Sequence, residues 1–270
     1  ATHTIIHEAG HLIAGLISGY KFLLFRIGSL TLIHSDGKYQ LKRFPLEGTG
    51  GQCLMIPPQL PIESIPTKLY NLGGVLINIL CSALAIIIAL TSNNVWVTIA
   101  FLLFALIGLV FAALNGIPMK IGGVSNDGKN VQYLDKDTLS KKAFINQLMI
   151  HAITQQGTRP RDIPDEYLTF STDIDFKDAL QVNWLLMSAV TLMDRGEYEA
   201  SYRILDTIIQ HESEVLGLFV KETKCELVFA SLITGRIDRA TELYSDEIAS
   251  YAQQYHKTMS SKLRLLCATA

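Results

Sequence analysis

Residues 69–114 read LYNLGGVLINILCSALAIIIALTSNNVWVTIAFLLFALIGLVFAAL, and the reading of this stretch decides the fold. It carries no charged residue, and the uncharged turn Thr91-Ser92-Asn93-Asn94 divides it into Leu69–Leu90 and Val95–Leu114. Each half has about 20 residues, enough for roughly 30 Å of helix, the thickness of a bilayer's hydrocarbon core. Apolar side chains occupy nearly the whole circumference of either helix, which leaves little polar face to turn toward water. The pair is predicted to be a transmembrane hairpin.

Upstream, the run from about Thr4 to Gly19 is almost as apolar, yet it contains His7-Glu8-Ala9-Gly10-His11. The sequence opens on Ala1, directly against this motif, and a few residues further upstream would complete another span. Three spans are therefore expected, at about residues 3–20, 69–90 and 95–114. Between the first two lie short alternating runs, Phe22–Ile27, Leu30–His34, Tyr39–Phe44 and Gln52–Ile56, punctuated by Ser35-Asp36-Gly37 and Gly48-Thr49-Gly50-Gly51. These hairpin signals predict a small membrane-associated β segment over about residues 22–56. Pro57, Pro58, Pro61 and Pro66 then lead into the second span.

Lys21, Arg26, Lys38, Lys42, Arg43 and Lys68 sit in the loop after the first span, and Lys120, Lys129, Lys136, Lys141 and Lys142 follow the third, whereas the Asn-Asn turn has no basic residue. By the positive-inside rule, the β segment and the C-terminal part face the cytoplasm of a multi-pass cell-membrane protein. The mean hydropathy of +0.27 comes from the front of the chain. A formal net charge of −2, with no long basic block, argues against a nucleic-acid partner. Cys53, Cys81, Cys225 and Cys267 form no CxxC pair, so reduced thiols are expected rather than a disulfide framework or a cysteine zinc site.

From about Lys141 the texture changes to amphipathic helices with ordinary charge content, and residues 141–270 are predicted to form a soluble helical domain separate from a core over 1–135. Within it, Gly196-Glu197-Tyr198-Glu199-Ala200-Ser201 and Gly235-Arg236-Ile237-Asp238-Arg239-Ala240 each set a small residue five positions after a turn glycine, at an interval of 39 residues. Apolar helices precede each turn (Val182–Met193, Cys225–Ile233) and follow it (Tyr202–Ile209, Thr241–Tyr251). The pattern resembles tetratricopeptide helical hairpins, whose usual interval is about 34 residues; a helical bundle without repeats is the other reading. His151, His211 and His256 lack partners at ligand spacing and are expected to be surface or packing residues.

His7 and His11 stand four residues apart and so project from one face of a helix, one turn apart, where both imidazoles can hold a single zinc ion. Glu8 lies one step round, within reach of a water on the metal without being a ligand itself; this is the HExxH arrangement, in which zinc acidifies the water and the glutamate takes its proton. Ionisable residues in a membrane helix each cost on the order of 2 kcal/mol or more, so their presence there marks function rather than packing. Zinc needs a third protein ligand and an open fourth position. Asp127, in Ser125-Asn126-Asp127-Gly128 after the third span, is the best candidate, with Asp135 and Asp137 nearby in a charged stretch.

HEAGH in a first membrane helix, Gly73-Gly74-Val75-Leu76-Ile77-Asn78 in the next, and Asn115-Gly116-Ile117-Pro118 leading to Asp127-Gly128 together resemble the site-2 protease family of intramembrane zinc metalloproteases, over about residues 1–130. The resemblance implies that His7, His11 and Asp127 bind zinc, that Glu8 is the general base, and that Asn78 helps hold substrate or the developing oxyanion. Val75 stands where the family's Gly-Pro-x-x-Asn pattern has proline, and the run from Asn115 to Asp127 is longer than in the family's common motif.

From His11 to Tyr20 is about 14 Å of helix, so the zinc is expected within the bilayer, below its cytoplasmic face. A transmembrane substrate must be unwound locally before its carbonyl is open to attack, and an edge of the β segment is a candidate for pairing with the extended strand. The implied partners are a membrane-spanning or membrane-bound peptide substrate, lipid, and a cytoplasmic protein bound by the helical domain. The alternative from another class is a membrane-anchored scaffold with an inactive metal site. In either case the fold expected is mainly α.

Overall fold

The computed structural model describes residues 2–35, 37–43, 50–170 and 173–270. They are mainly helical, 66% helix, with one four-stranded sheet and a two-stranded ribbon. The chain divides into two compact units, Ala1–Gln156 and Gly157–Ala270.

In the first unit, α1 (Thr2–Ile17) carries the HExxH motif. It stops short of Tyr20, where the sequence reading ends the first span, because Gly19 takes φ +83° and closes the helix. Gly19 N–H donates to Leu16 O and Tyr20 N–H to Gly15 O, the paired bonds of a Schellman ending. Tyr20 then stacks on Tyr70 with ring centroids 4.8 Å apart.

Four antiparallel strands follow: β1 (Lys21–Ile27), β2 (Leu30–Ser35), β3 (Lys38–Arg43) and β4 (Gly51–Ile56), in the spatial order β3-β2-β1-β4. These match the expected runs; Asp36, Phe44, Gly48 and Thr49 lie outside the described residues. The register between β1 and β4 shifts at Leu23, a bulge that turns both Leu23 and Leu24 into the interior.

The expected hairpin is present as α2 (Lys68–Thr91) and α3 (Val95–Gly116), and these are the two helices among the described residues long and apolar enough to cross a membrane. At 16 residues, α1 is shorter than that, so the three expected spans correspond to two helices of spanning length and one shorter helix packed on them. Asn94 caps α3 by accepting the N–H groups of Trp96 and Val97. Leu80, Leu84, Ile87, Leu90, Trp96, Leu103 and Leu106 are all more than half exposed, and only 17% of the apolar window of α3 is buried. Water solvates so continuous an apolar surface poorly, whereas lipid covers it at no cost.

The faces turned inward are lined by small residues. A side chain on Gly10 would strike the backbone of Gly73, and one on Gly73 would strike Gly10, so α1 and α2 meet backbone to backbone. After α3 come the ribbon strands β5 (Lys120–Ile121) and β6 (Val124–Ser125), then α4 (Asp127–Tyr133) and α5 (Thr138–Gln155). The sequence reading groups α5 with the C-terminal domain, but its Ile145 and Leu148 join the core of Tyr20, Cys53, Met55 and Tyr70, and the division falls at 156/157. Its apolar positions find their partners in the sheet and in the segment before α2, which hydrophobic periodicity alone does not specify.

The second unit contains α6 (Ala179–Arg195), α7 (Tyr198–Gln210), α8 (Gly217–Ile233), α9 (Ile237–Leu243), α10 (Asp246–Tyr255) and α11 (Ser260–Thr269). The two glycine turns have the same build. Gly196 (φ +86°) and Gly235 (φ +76°) end α6 and α8, with Glu197 N–H donating to Leu192 O and Arg236 N–H to Ser231 O. The small residues five positions on, Ser201 and Ala240, are buried, and Ser201 Oγ donates to Ala189 O across the helix pair at 2.8 Å. The fully buried Lys262 Nζ joins α11 to α8 through Glu222, 2.6 Å away.

Candidate metal centre

His7 and His11 project from the buried face of α1 toward α2 and α4. A side chain on Gly74 would run into both imidazoles, so this glycine of α2 makes their room. Asp127, the first residue of α4, completes the group. His7 Nε2 and His11 Nε2 are 3.1 Å apart, and Asp127 Oδ2 lies 3.1 Å from the first and 3.4 Å from the second. Asp127 Oδ2 is buried without a hydrogen-bond donor of good geometry, an orphaned acceptor facing two imidazole nitrogens. Burial pushes the Asp127 carboxyl up, but contact with His11 and His7 outweighs it and holds the group at about 2, so the carboxylate is ionised. His7, His11 and Asp127 could hold a metal ion, and among the described residues they are the one such cluster.

Both imidazoles are held from behind. His11 Nδ1 is 2.8 Å from the backbone carbonyl of Tyr70, which only accepts, so Nδ1 carries the proton and Nε2 is left free for an ion. His7 Nδ1 is 3.2 Å from Asn78 Nδ2. Glu8, also buried, feels the charges of His11, His7 and Asp127 and accepts the backbone N–H of Cys53. The Cys53 carbonyl takes the Tyr70 hydroxyl at 2.8 Å. Cys53, on the outer strand β4, thus lies between Glu8 and Tyr70.

The long interval from Asn115 to Asp127 has a structural explanation. Residues 120–125 fold out as the β5–β6 ribbon, with turn glycines Gly122 (φ +59°) and Gly123 (φ +88°), and the ribbon is pinched shut at its base by Asn126. Asn126 N–H donates to Met119 O at 3.1 Å. Its Oδ1 accepts Met119 N–H at 3.1 Å and Lys129 N–H at 2.9 Å, while its Nδ2 donates to Leu114 O and Ile117 O, both at 2.7 Å. One buried side chain therefore ties the end of α3 to the start of α4. Gly128 lets the two meet, since a side chain there would strike the Gly116 carbonyl. Removing that clamp with Asn126→Ala should weaken metal binding about 10- to 100-fold, the usual worth of a group that orients a ligand, as read by competition with a chromophoric chelator.

The alternatives to Asp127 are engaged elsewhere. Asp135 pairs with Lys141 at 3.0 Å and Lys68 at 3.2 Å; burial raises its carboxyl, and the two ammonium groups more than offset this, holding it below the ordinary range. Asp137 caps α5 through the N–H groups of Leu139 and Ser140. His211 stacks on Phe176 and contacts Glu214, and His256 Nδ1 meets Gln253 O, both local packing arrangements. The four cysteines are free.

Sequence reasoning did not single out three groups at or beside the site. Asn126 was read only as part of a turn, and the Tyr70 carbonyl leaves no trace in sequence. His3 is one turn before His7 on the same face of α1, buried against Phe104 with ring centroids 4.3 Å apart; its i, i+4, i+8 spacing with His7 and His11 was the available signal. No family model, curated protein or solved structure matches this chain.

Proposed function

We propose that this chain is an intramembrane zinc metalloprotease of the site-2 protease type, which cleaves a membrane-spanning or membrane-bound peptide. The observation that carries the reading is the convergence of two imidazoles and one carboxylate, from α1 and from the far end of the α2–α3 hairpin, with a glutamate beside them. The spacing of the ligand atoms suits zinc: donors about 2.0–2.1 Å from a tetrahedral ion are about 3.3 Å apart, against the observed 3.1, 3.1 and 3.4 Å. When bound, zinc would supply Lewis acidity for hydrolysis of an amide.

The chain's own residues account for the rest. His7 and His11 present Nε2 and Asp127 presents Oδ2. The Glu8 carboxylate, steadied by Cys53 N–H, takes a proton from the attacking water and hands it to the leaving amine nitrogen. The apolar exteriors of α2 and α3 support a multi-pass protein, and the lysines flanking them support a cytoplasmic C-terminal unit. That unit, with its two glycine-closed helix pairs, is read as a tetratricopeptide-like module that recruits a protein partner or substrate.

Removal of the metal tests the proposal. Detergent-solubilised full-length protein should carry one equivalent of zinc. Chelation should abolish cleavage of a co-reconstituted membrane-spanning peptide, and added zinc should restore it. Absence of stoichiometric metal would instead favour a scaffold.

A further inference from the structure

Asn78 lies on the buried face of α2, fully covered, with Nδ2 3.2 Å from His7 Nδ1 and Oδ1 without a partner. With Nδ2 nearest the ring the amide would donate to Nδ1, which requires the ring proton on Nε2, the nitrogen 3.1 Å from Asp127 Oδ2. An ion cannot use Nε2 while that proton is there. For Nε2 to hold an ion, His7 would carry its ring proton on Nδ1, and Nδ1–H would then point at an N–H donor of the amide. Donor against donor is repulsive, and half a turn of the amide about its last side-chain bond removes the conflict by placing Oδ1 where Nδ2 was.

We propose that Asn78 is a positioning residue of the metal centre: with Oδ1 turned to His7, it accepts the Nδ1 proton and holds Nε2 toward the ion. This assigns it a place behind a ligand, the counterpart of the Tyr70 carbonyl behind His11, instead of the substrate or oxyanion role that the family resemblance implies. The two supports differ in kind. A carbonyl only accepts, whereas an amide can serve either ring tautomer. The inference rests on the metal-binding part of the proposed function and not on its peptidase part.

The test is zinc affinity by chelator competition on the full-length protein in detergent, together with the visible spectrum of the Co2+-substituted form, which reports ligand geometry. Asn78→Ala should lower zinc affinity about 10- to 100-fold and alter the Co2+ bands. Asn78→Asp keeps an acceptor behind His7 and should not show the loss of about 10-fold or more that marks a missing orienting group. Ser82→Ala serves as the packing control: it removes a buried hydroxyl one turn along α2, bonded to Asn78 O, and should leave zinc affinity unchanged. Wild-type affinity and Co2+ spectrum in Asn78→Ala, with cleavage alone impaired, would overturn the inference in favour of the oxyanion role. Equal losses in Asn78→Ala and Asn78→Asp, or in Ser82→Ala, would overturn it in favour of simple packing. Failure of the unmutated protein to bind zinc would overturn both this inference and the proposed function, whereas zinc binding with the expected Asn78 pattern but no cleavage would overturn only the peptidase reading.

Discussion

Glu8→Gln is expected to leave zinc bound and to abolish proteolysis, with cleavage of a co-reconstituted membrane peptide reduced by at least about 10²- to 10⁴-fold, the usual worth of a general base. Glutamine has the same length and shape, so the packing of Glu8 against Gly51 is kept. Its amide has no lone pair basic enough to take the proton of an attacking water. The ligand atoms of His7, His11 and Asp127 are untouched by the change, so metal content measured by atomic absorption should equal that of the unmutated protein. Undiminished cleavage by Glu8→Gln would remove Glu8 from the reaction. Because the variant keeps its site assembled while turnover stops, it is also the form in which substrates should co-purify from membranes after crosslinking.

Asp127→Ala should have the opposite signature, with metal and activity lost together. It removes the one anionic ligand and leaves two neutral imidazoles, too few for a tight site. Groups that merely orient a ligand are worth about 10- to 100-fold in affinity, so loss of the ligand itself should exceed about 100-fold. Asp135→Ala is the matched control. That carboxylate belongs to the Lys68 and Lys141 pairs, and its removal should leave zinc affinity unchanged. A normal zinc content in Asp127→Ala would show that the ion, if held at all, is held elsewhere.

These two variants separate chemistry from assembly, and the difference between them follows from where each residue sits in the chain. Glu8 is next to the histidines in sequence, so its nearness to them is a matter of helix geometry. Asp127 is 116 residues beyond His11, and it arrives only because α3 returns along α2 and the Asn126 clamp turns the chain at the right place. The ribbon strands β5 and β6 stand out between α3 and α4, and their base is closed by the bonds of Asn126 to backbone groups.

Much of this was legible in one dimension. The apolar runs of α2 and α3, the turn between them, the four strands and the glycine-ended helices of the second unit are set by local patterns of hydrophobicity and by glycines that must adopt positive φ, as is the placing of His7, Glu8 and His11 on one stretch of α1. Contacts between distant segments were not. Packing placed α5 with the first unit, set Cys53 between Glu8 and Tyr70, and brought Asn78 behind His7. The reason is physical: periodicity records which face of an element is buried, but which partner buries it depends on how small residues such as Gly10, Gly73 and Gly74 allow helices to approach, and on which buried polar atoms must find each other once they have.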